Sequence, residues 1–195
     1  MEVERSILME NLQLQDKVIF ITGAVGKLGN AATKLFLRRG ATVVASDILP
    51  MDKKQESSLK EAYQDRFCFE LIDASDEQQV KDGMQLIEQK FGRLDGIFHN
   101  AYKQAIKPLT ELTIEEWDAA IKGSLTSTFL VNKYAVISML KSGGGAIVNT
   151  SSVLSQKPAV NNVAYGAAKA GINQLTRVIA LEYGAQNIRA NALLP

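Results

Sequence analysis

Tyr165 and Lys169 stand four positions apart, and Ser152 precedes the tyrosine by thirteen. On a helix, residues four apart share a face, so this phenol and this ammonium would project into one site. A free phenol ionises near pH 10 and is a poor base at neutrality. A neighbouring ammonium favours the phenolate. Bringing ionisation close to neutral pH takes roughly 4 kcal/mol of differential stabilisation. A phenol tuned in this way takes a proton from an alcohol or returns one to a carbonyl. Ser152 could hydrogen-bond the same oxygen and steady its developing charge. Singly, each residue has an ordinary use: tyrosine in packing, lysine in solvent, serine in a cap or turn. The spacing is what makes them a set.

Far upstream, an apolar run is followed by Thr22-Gly23-Ala24-Val25-Gly26-Lys27-Leu28-Gly29 and then by a helical pattern. Glycines in such a turn permit positive φ, close approach of a pyrophosphate and tight packing of helix on strand. The helix N-terminus adds unpaired N–H groups and a partial positive charge. Asp47 ends the next strand, 24 residues past Gly23, close to the spacing of about 20 expected for an acid that holds a ribose. Both halves together point to hydride transfer with a nicotinamide dinucleotide. The positive nicotinamide of the oxidised form would further favour a Tyr165 phenolate. A carboxylate at Asp47 accepts from both ribose hydroxyls and repels a 2′-phosphate, which favours NAD over NADP. Lys27 pulls the other way, as a partner for a 2′-phosphate, or simply contacts the pyrophosphate. We let Asp47 decide and expect NAD, with NADP less favoured.

The elements that must position these residues alternate regularly. Residues 17–22, 42–47, 67–73, 96–100, 146–151 and 188–193 read as strands. Four are near-continuous apolar runs, as in strands buried on both faces. Residues 27–39, 52–63, 76–91, 114–141 and 163–183 read as helices. Ser75 with Gln78, and Thr113 with Glu116, read as capping boxes. The alternation predicts an α/β fold: a doubly wound parallel sheet of six strands with helices on both faces, in a single domain spanning 1–195.

Lys plus Arg number 22 against 21 Asp plus Glu, for a net charge of +1. That balance provides no field for nucleic acid or an anionic membrane. No apolar stretch approaches the ~18 residues of a membrane span, and the N-terminus lacks the pattern of a signal peptide. The expectation is a soluble, cytoplasmic protein. Cys68, the single cysteine, lies between Phe67 and Phe69 and reads as a buried strand residue. His99 is the single histidine, so a metal site is not expected.

These motifs resemble the short-chain dehydrogenase/reductase family, from about Leu14 to Pro195. The resemblance extends to Asp73 after the third strand, Asn100-Ala101 after the fourth, and Ile188-Arg189-Ala190-Asn191. It implies a cofactor-binding set of Gly23, Gly26, Lys27, Leu28, Gly29, Asp47, Asp73, Asn100, Tyr165 and Lys169. Within it, Asp73 would meet the adenine, Asn100 would steady the sheet, and Lys169 would bind the nicotinamide ribose. It implies catalytic roles for Ser152, Tyr165, Lys169 and Ser124, a small alcohol or carbonyl substrate, and a homodimer or homotetramer built on the long helices. Departures are visible too. Ser124 stands where the family places an asparagine, and Tyr102 replaces a glycine beside the nicotinamide, which would narrow the pocket. The second glycine comes one place early, at Gly26, leaving Lys27 in its usual position. Members also continue past the position of Pro195 into a substrate loop, a helix and a seventh strand, so the expectation is a domain incomplete at this end. The leading reading is an NAD-dependent oxidoreductase. A non-catalytic dinucleotide-binding module and an inactive fragment of a longer enzyme are the alternatives.

Overall fold

The computed structural model describes residues 13–195. Strands β1 (Val18–Thr22), β2 (Thr42–Asp47), β3 (Phe67–Leu71), β4 (Gly96–His99), β5 (Gly145–Thr150) and β6 (Ile188–Leu193) form one sheet in the order β3-β2-β1-β4-β5-β6. Every pairing is parallel. The order reverses between β1 and β4, and at such a point the strand ends open a crevice for a ligand.

Alternation along β1 explains why the strands read as unbroken apolar runs. Phe20 packs on one face with Val44, Ile97 and Ile147, beneath helices α3 (Glu77–Phe91), α5 (Ser127–Lys141) and α6 (Val163–Tyr183). Ile19 and Ile21 pack on the other face with Val43, Ala45 and Phe98, beneath α1 (Lys27–Arg38) and α2 (Lys53–Tyr63). Cys68 is buried in the first of these cores, and burial pushes its thiol pKa up. Among the described residues, no helix is long and apolar enough to cross a membrane.

Three details differ from the sequence-based expectations. The third strand ends at Leu71, which leaves Asp73 in the loop beyond it. Asp76, not Ser75, caps α3, its carboxylate accepting from Gln79 N at 3.0 Å. Ser75 instead donates its hydroxyl to Asp73 Oδ1 at 2.7 Å. The long helix expected over 114–141 is interrupted: α4 (Ile114–Ile121) passes through a π-helical turn, Lys122–Thr126, before α5 begins. The Thr113–Glu116 capping box at the start of α4 is formed on both sides.

Candidate active site

The turn after β1 needs glycine at two positions for reasons internal to the protein. Gly23 has φ +65°, and a Cβ there would lie 2.9 Å from the backbone of Asn100 and Ala101. A Cβ on Gly29 would lie 2.1 Å from the Gly23 carbonyl oxygen. Gly26 is different. It is the N-cap of α1 with φ −64°, and a Cβ would meet only the Gly23 oxygen, at 3.4 Å. The protein itself leaves room for a side chain at Gly26. Its absence keeps the first-turn amides of α1 open, with no acidic side chain in that turn. That arrangement suits an anion brought close to the helix end.

A crevice of about 700 Å³ runs across the C-terminal ends of the central strands, lined by Gly23, Gly26, Asp47, Asp73, Asn100 and Tyr102 among others. Asp47 ties its parts together: Oδ2 accepts from Val25 N at 2.9 Å and Oδ1 from Leu49 N at 3.1 Å. Each oxygen keeps a lone pair for a ligand hydroxyl. Asp73 Oδ1 accepts from Ser75 N at 2.8 Å. Asn100 donates its amide N–H to Thr22 Oγ1 at 3.2 Å and its Nδ2 to the Gly23 oxygen at 3.4 Å. Lys27 and Leu28 lie outside the crevice lining. The Lys27 side chain shares the outer surface of α1 with Asn30, Lys34 and Arg38. Successive helical residues turn by about 100°, so the two residues after Gly26 leave its face, and only their backbone amides remain at the helix end.

The second half of the site is built by β5 and α6. Ser152 caps a 3₁₀ turn, Val153–Ser155, and its Oγ accepts from Leu154 N at 3.2 Å. Tyr165 and Lys169 are one helical turn apart on α6, and Lys169 is 1% exposed. Its Nζ donates to the Thr150 carbonyl at 2.6 Å. Burial lowers its pKa to about 8. Tyr165 is half-buried beside Ser152. Its phenol pKa is raised, chiefly by desolvation, with the Ser152 hydrogen bond acting in the opposite direction and Tyr102 adding to the rise. A depressed phenol pKa is therefore not a property of the protein alone: burial outweighs the Ser152 hydrogen bond. Tyr102 sets its ring edge-on to that of Tyr165, with centroids 5.9 Å apart.

Ser124, in the π-helical turn, is fully buried. Its hydroxyl accepts from Lys103 N at 3.0 Å and donates to Lys103 O at 2.8 Å. This engagement pins the segment after β4 and leaves the hydroxyl proton committed.

Sequence reasoning passed over several polar residues that hold the site. Thr22 Oγ1 accepts from Asn100 N and Ala101 N, at 3.2 and 3.3 Å, and lies 2.8 Å from His99 Nδ1. Ser151 donates to the Lys169 carbonyl at 3.0 Å. Asn132 and Asn149 exchange side-chain hydrogen bonds of 2.9 and 3.1 Å, joining α5 to β5, and Asn149 also donates to Thr176 on α6. Asparagines inside an apolar helix and an apolar strand were the available signal, because a buried amide must be partnered.

A parallel, doubly wound sheet with this glycine turn and a clustered serine, tyrosine and lysine defines a dinucleotide-dependent dehydrogenase class. The family described as short chain dehydrogenase matches residues 17–195. A 3-oxoacyl-[acyl-carrier-protein] reductase of Thermotoga maritima is 36% identical over 186 residues, covering 94% of this chain and 75% of that protein. The cis-4-hydroxycyclohexanecarboxylate dehydrogenase of Sinomonas cyclohexanicum is 36% identical over 181 residues, covering 92% of this chain and 72% of the relative. The crystal structure of levodione reductase superposes with a TM-score of 0.88 at 31% identity, covering 94% of this chain and 72% of that one. The chain belongs to the short-chain dehydrogenase/reductase family. It is an oxidoreductase that moves hydride between a nicotinamide dinucleotide, NAD(P), and an alcohol or carbonyl substrate.

Proposed function

We propose that the chain is an NAD-dependent dehydrogenase/reductase acting on a secondary alcohol or the matching ketone, with Tyr165 as the acid/base. The observation that carries this reading is the convergence of Ser152, Tyr165 and the buried Lys169 at the mouth of β5. When bound, the dinucleotide donates or accepts the hydride. Tyr165 moves the proton at the substrate oxygen, and Ser152 donates a hydrogen bond to that oxygen. Lys169, held by Thr150, supplies positive charge that favours the phenolate. Ser124 acts as a positioning residue, through its two hydrogen bonds to Lys103. The related enzymes are named for a 3-oxoacyl group and a hydroxycyclohexane ring, both with oxygen on a secondary carbon, which supports the substrate class.

The residues present fit the dinucleotide. Gly26 leaves the end of α1 open, and Asp47 faces the same crevice. Gly26→Ala should leave thermal melting nearly unchanged and weaken NADH binding by tenfold or more. Gly29→Ala should lower stability by about 2 kcal/mol, since its Cβ would collide with backbone. Equal effects of the two on melting would overturn the distinction.

For NAD over NADP, Asp47 lines the crevice, whereas Lys27 lies outside its lining. A carboxylate there repels a 2′-phosphate. Fluorescence titration should show NADH binding more tightly than NADPH, and the reverse order would overturn the choice. The outer surfaces of α5 and α6 expose Phe129, Ile137, Leu140 and Leu181, which supports self-association of these helices into a homodimer or homotetramer. The even charge balance and lone buried cysteine support a cytoplasmic setting.

A further inference from the structure

Tyr102 lines the crevice, whereas Ser152, Tyr165 and Lys169 lie outside the lining. Hydride transfer needs these two spaces to be one. Lys169 is closed in as well. Its Nζ lies 5.4 Å from the ring centre of Tyr102 and 5.4 Å from that of Tyr165, with Thr150 O as its hydrogen-bond acceptor. Aromatic faces attract an ammonium through the ring quadrupole. With Lys169 only 1% exposed, a ribose hydroxyl cannot reach this nitrogen until some covering group moves.

The fold says which group that is. Tyr165 and Lys169 belong to one rigid helix turn, and the Thr150 carbonyl is the end of β5. Tyr102 lies beyond the end of β4 and is 56% exposed. Its own backbone is restrained, since Ser124 holds both the N–H and the C=O of Lys103. Gly123 presses against Lys103 so closely that a Cβ would lie 2.6 Å from it. The motion available is rotation of the Tyr102 side chain about a fixed backbone.

We propose that Tyr102 is a determinant of cofactor affinity: its ring covers Lys169 in the free protein and rotates away when the dinucleotide binds, joining the crevice to Ser152, Tyr165 and Lys169. This rests on the dinucleotide reading above. A glycine at this position, which the family resemblance leads one to expect, would close nothing. Binding here must first break one edge-to-face aromatic contact and one cation–π contact, which together are worth about tenfold in affinity.

The test compares the wild type with Tyr102→Ala and Tyr102→Phe. NADH is titrated by fluorescence, and lysines of the ligand-free proteins are acetylated at pH 8 and mapped by mass spectrometry. Tyr102→Ala should bind NADH about tenfold more tightly, a change of about 1.4 kcal/mol. It should also raise the labelling rate of Lys169 by a similar factor relative to surface lysines. Tyr102→Phe, which keeps the ring, should match the wild type in both. Tyr102→Leu serves the same comparison if alanine lowers the yield of folded protein. Unchanged NADH affinity and unchanged Lys169 labelling in the ring-less variants would overturn the proposal and leave the dinucleotide reading intact. Failure of NADH to bind any of these proteins, with cooperative melting retained, would overturn both.

Discussion

Tyr165→Phe is expected to lower kcat by about 10³-fold, roughly 4 kcal/mol in the barrier, while NADH affinity stays within about twofold. The substitution removes one oxygen from a half-buried ring and changes little else. The edge-on contact with Tyr102 and the flank of Lys169 are made by the ring, so they survive. What disappears is the proton carrier at the substrate oxygen. Ser152 and the bound dinucleotide remain, which is why a residual rate should persist. The free protein raises the phenol pKa by burial, so its ionisation depends on positive charge delivered on binding as well as on Lys169. Alcohol oxidation by the wild type should accordingly rise with pH, and the variant should lose that rise. The measurement is steady-state turnover from pH 6 to 10 with the best substrate from a panel of secondary alcohols and ketones. A variant with wild-type turnover would remove Tyr165 from the mechanism. A wild-type protein that binds NADH but turns over nothing in the panel would favour a purely binding role.

His99 should make the fold acid-sensitive well above the carboxylate range. The ring ends β4 and is 1% exposed. Burial first, and the nearby Lys169 charge second, lower its pKa from 6.5 to about 3. Hydrogen bonding fixes the tautomer. Thr22 Oγ1 already accepts from two amides, so its own proton goes to His99 Nδ1 at 2.8 Å. The Nε2–H then faces Ser127 Oγ at 3.4 Å. A second proton, on Nδ1, would meet a donor. Because the folded pKa is depressed, the unfolded chain binds more protons between pH 6.5 and about 3. Stability is complete above pH 6.5 and falls as pH drops, at up to about 1.4 kcal/mol per pH unit, reaching about 4 kcal/mol near pH 3. That is a large share of a typical total of about 5–15 kcal/mol. Urea unfolding at pH 7.5, 6, 5 and 4.5 measures the slope. His99→Asn, which cannot take up a proton, should flatten it by close to one proton. Equal slopes in the two proteins would show that His99 is not the acid-sensitive group.

The sheet was legible because both of its faces are buried. Runs such as Val18–Thr22 carry apolar residues at consecutive positions, and only a strand covered on both sides uses them all. Helix starts were legible to within a residue, and the miss at Ser75 shows why. Ser75 and Asp76 are both good caps, and the choice depended on Asp73 recruiting the serine hydroxyl. The grouping of Ser152, Tyr165 and Lys169 was legible but its connections were not. Spacing placed Tyr165 and Lys169 on one face, yet nothing in the spacing told that Tyr102 would stand against both. The rise of the phenol pKa in the free protein was not legible for the same reason: it depends on desolvation, a property of everything packed around the ring. Lys27 shows the reverse case, a residue next to the right glycine whose side chain lies on the outer surface of α1.

The π-helical turn at Lys122–Thr126 gives this chain a dependence on length. A turn of this kind holds one residue more than the surrounding helix needs. Deleting any single residue from it would let α4 and α5 merge into one regular helix with every backbone bond intact. The two flanks would stay nearly in phase, since the extra residue is taken up within the widened turn, but the turn that seats Ser124 against Lys103 would be gone. Ser124 would lose its hold on Lys103, and with it the segment that carries Tyr102. The number of residues in this turn should therefore matter alongside the identities of Gly123 and Ser124, which the contacts with Lys103 fix.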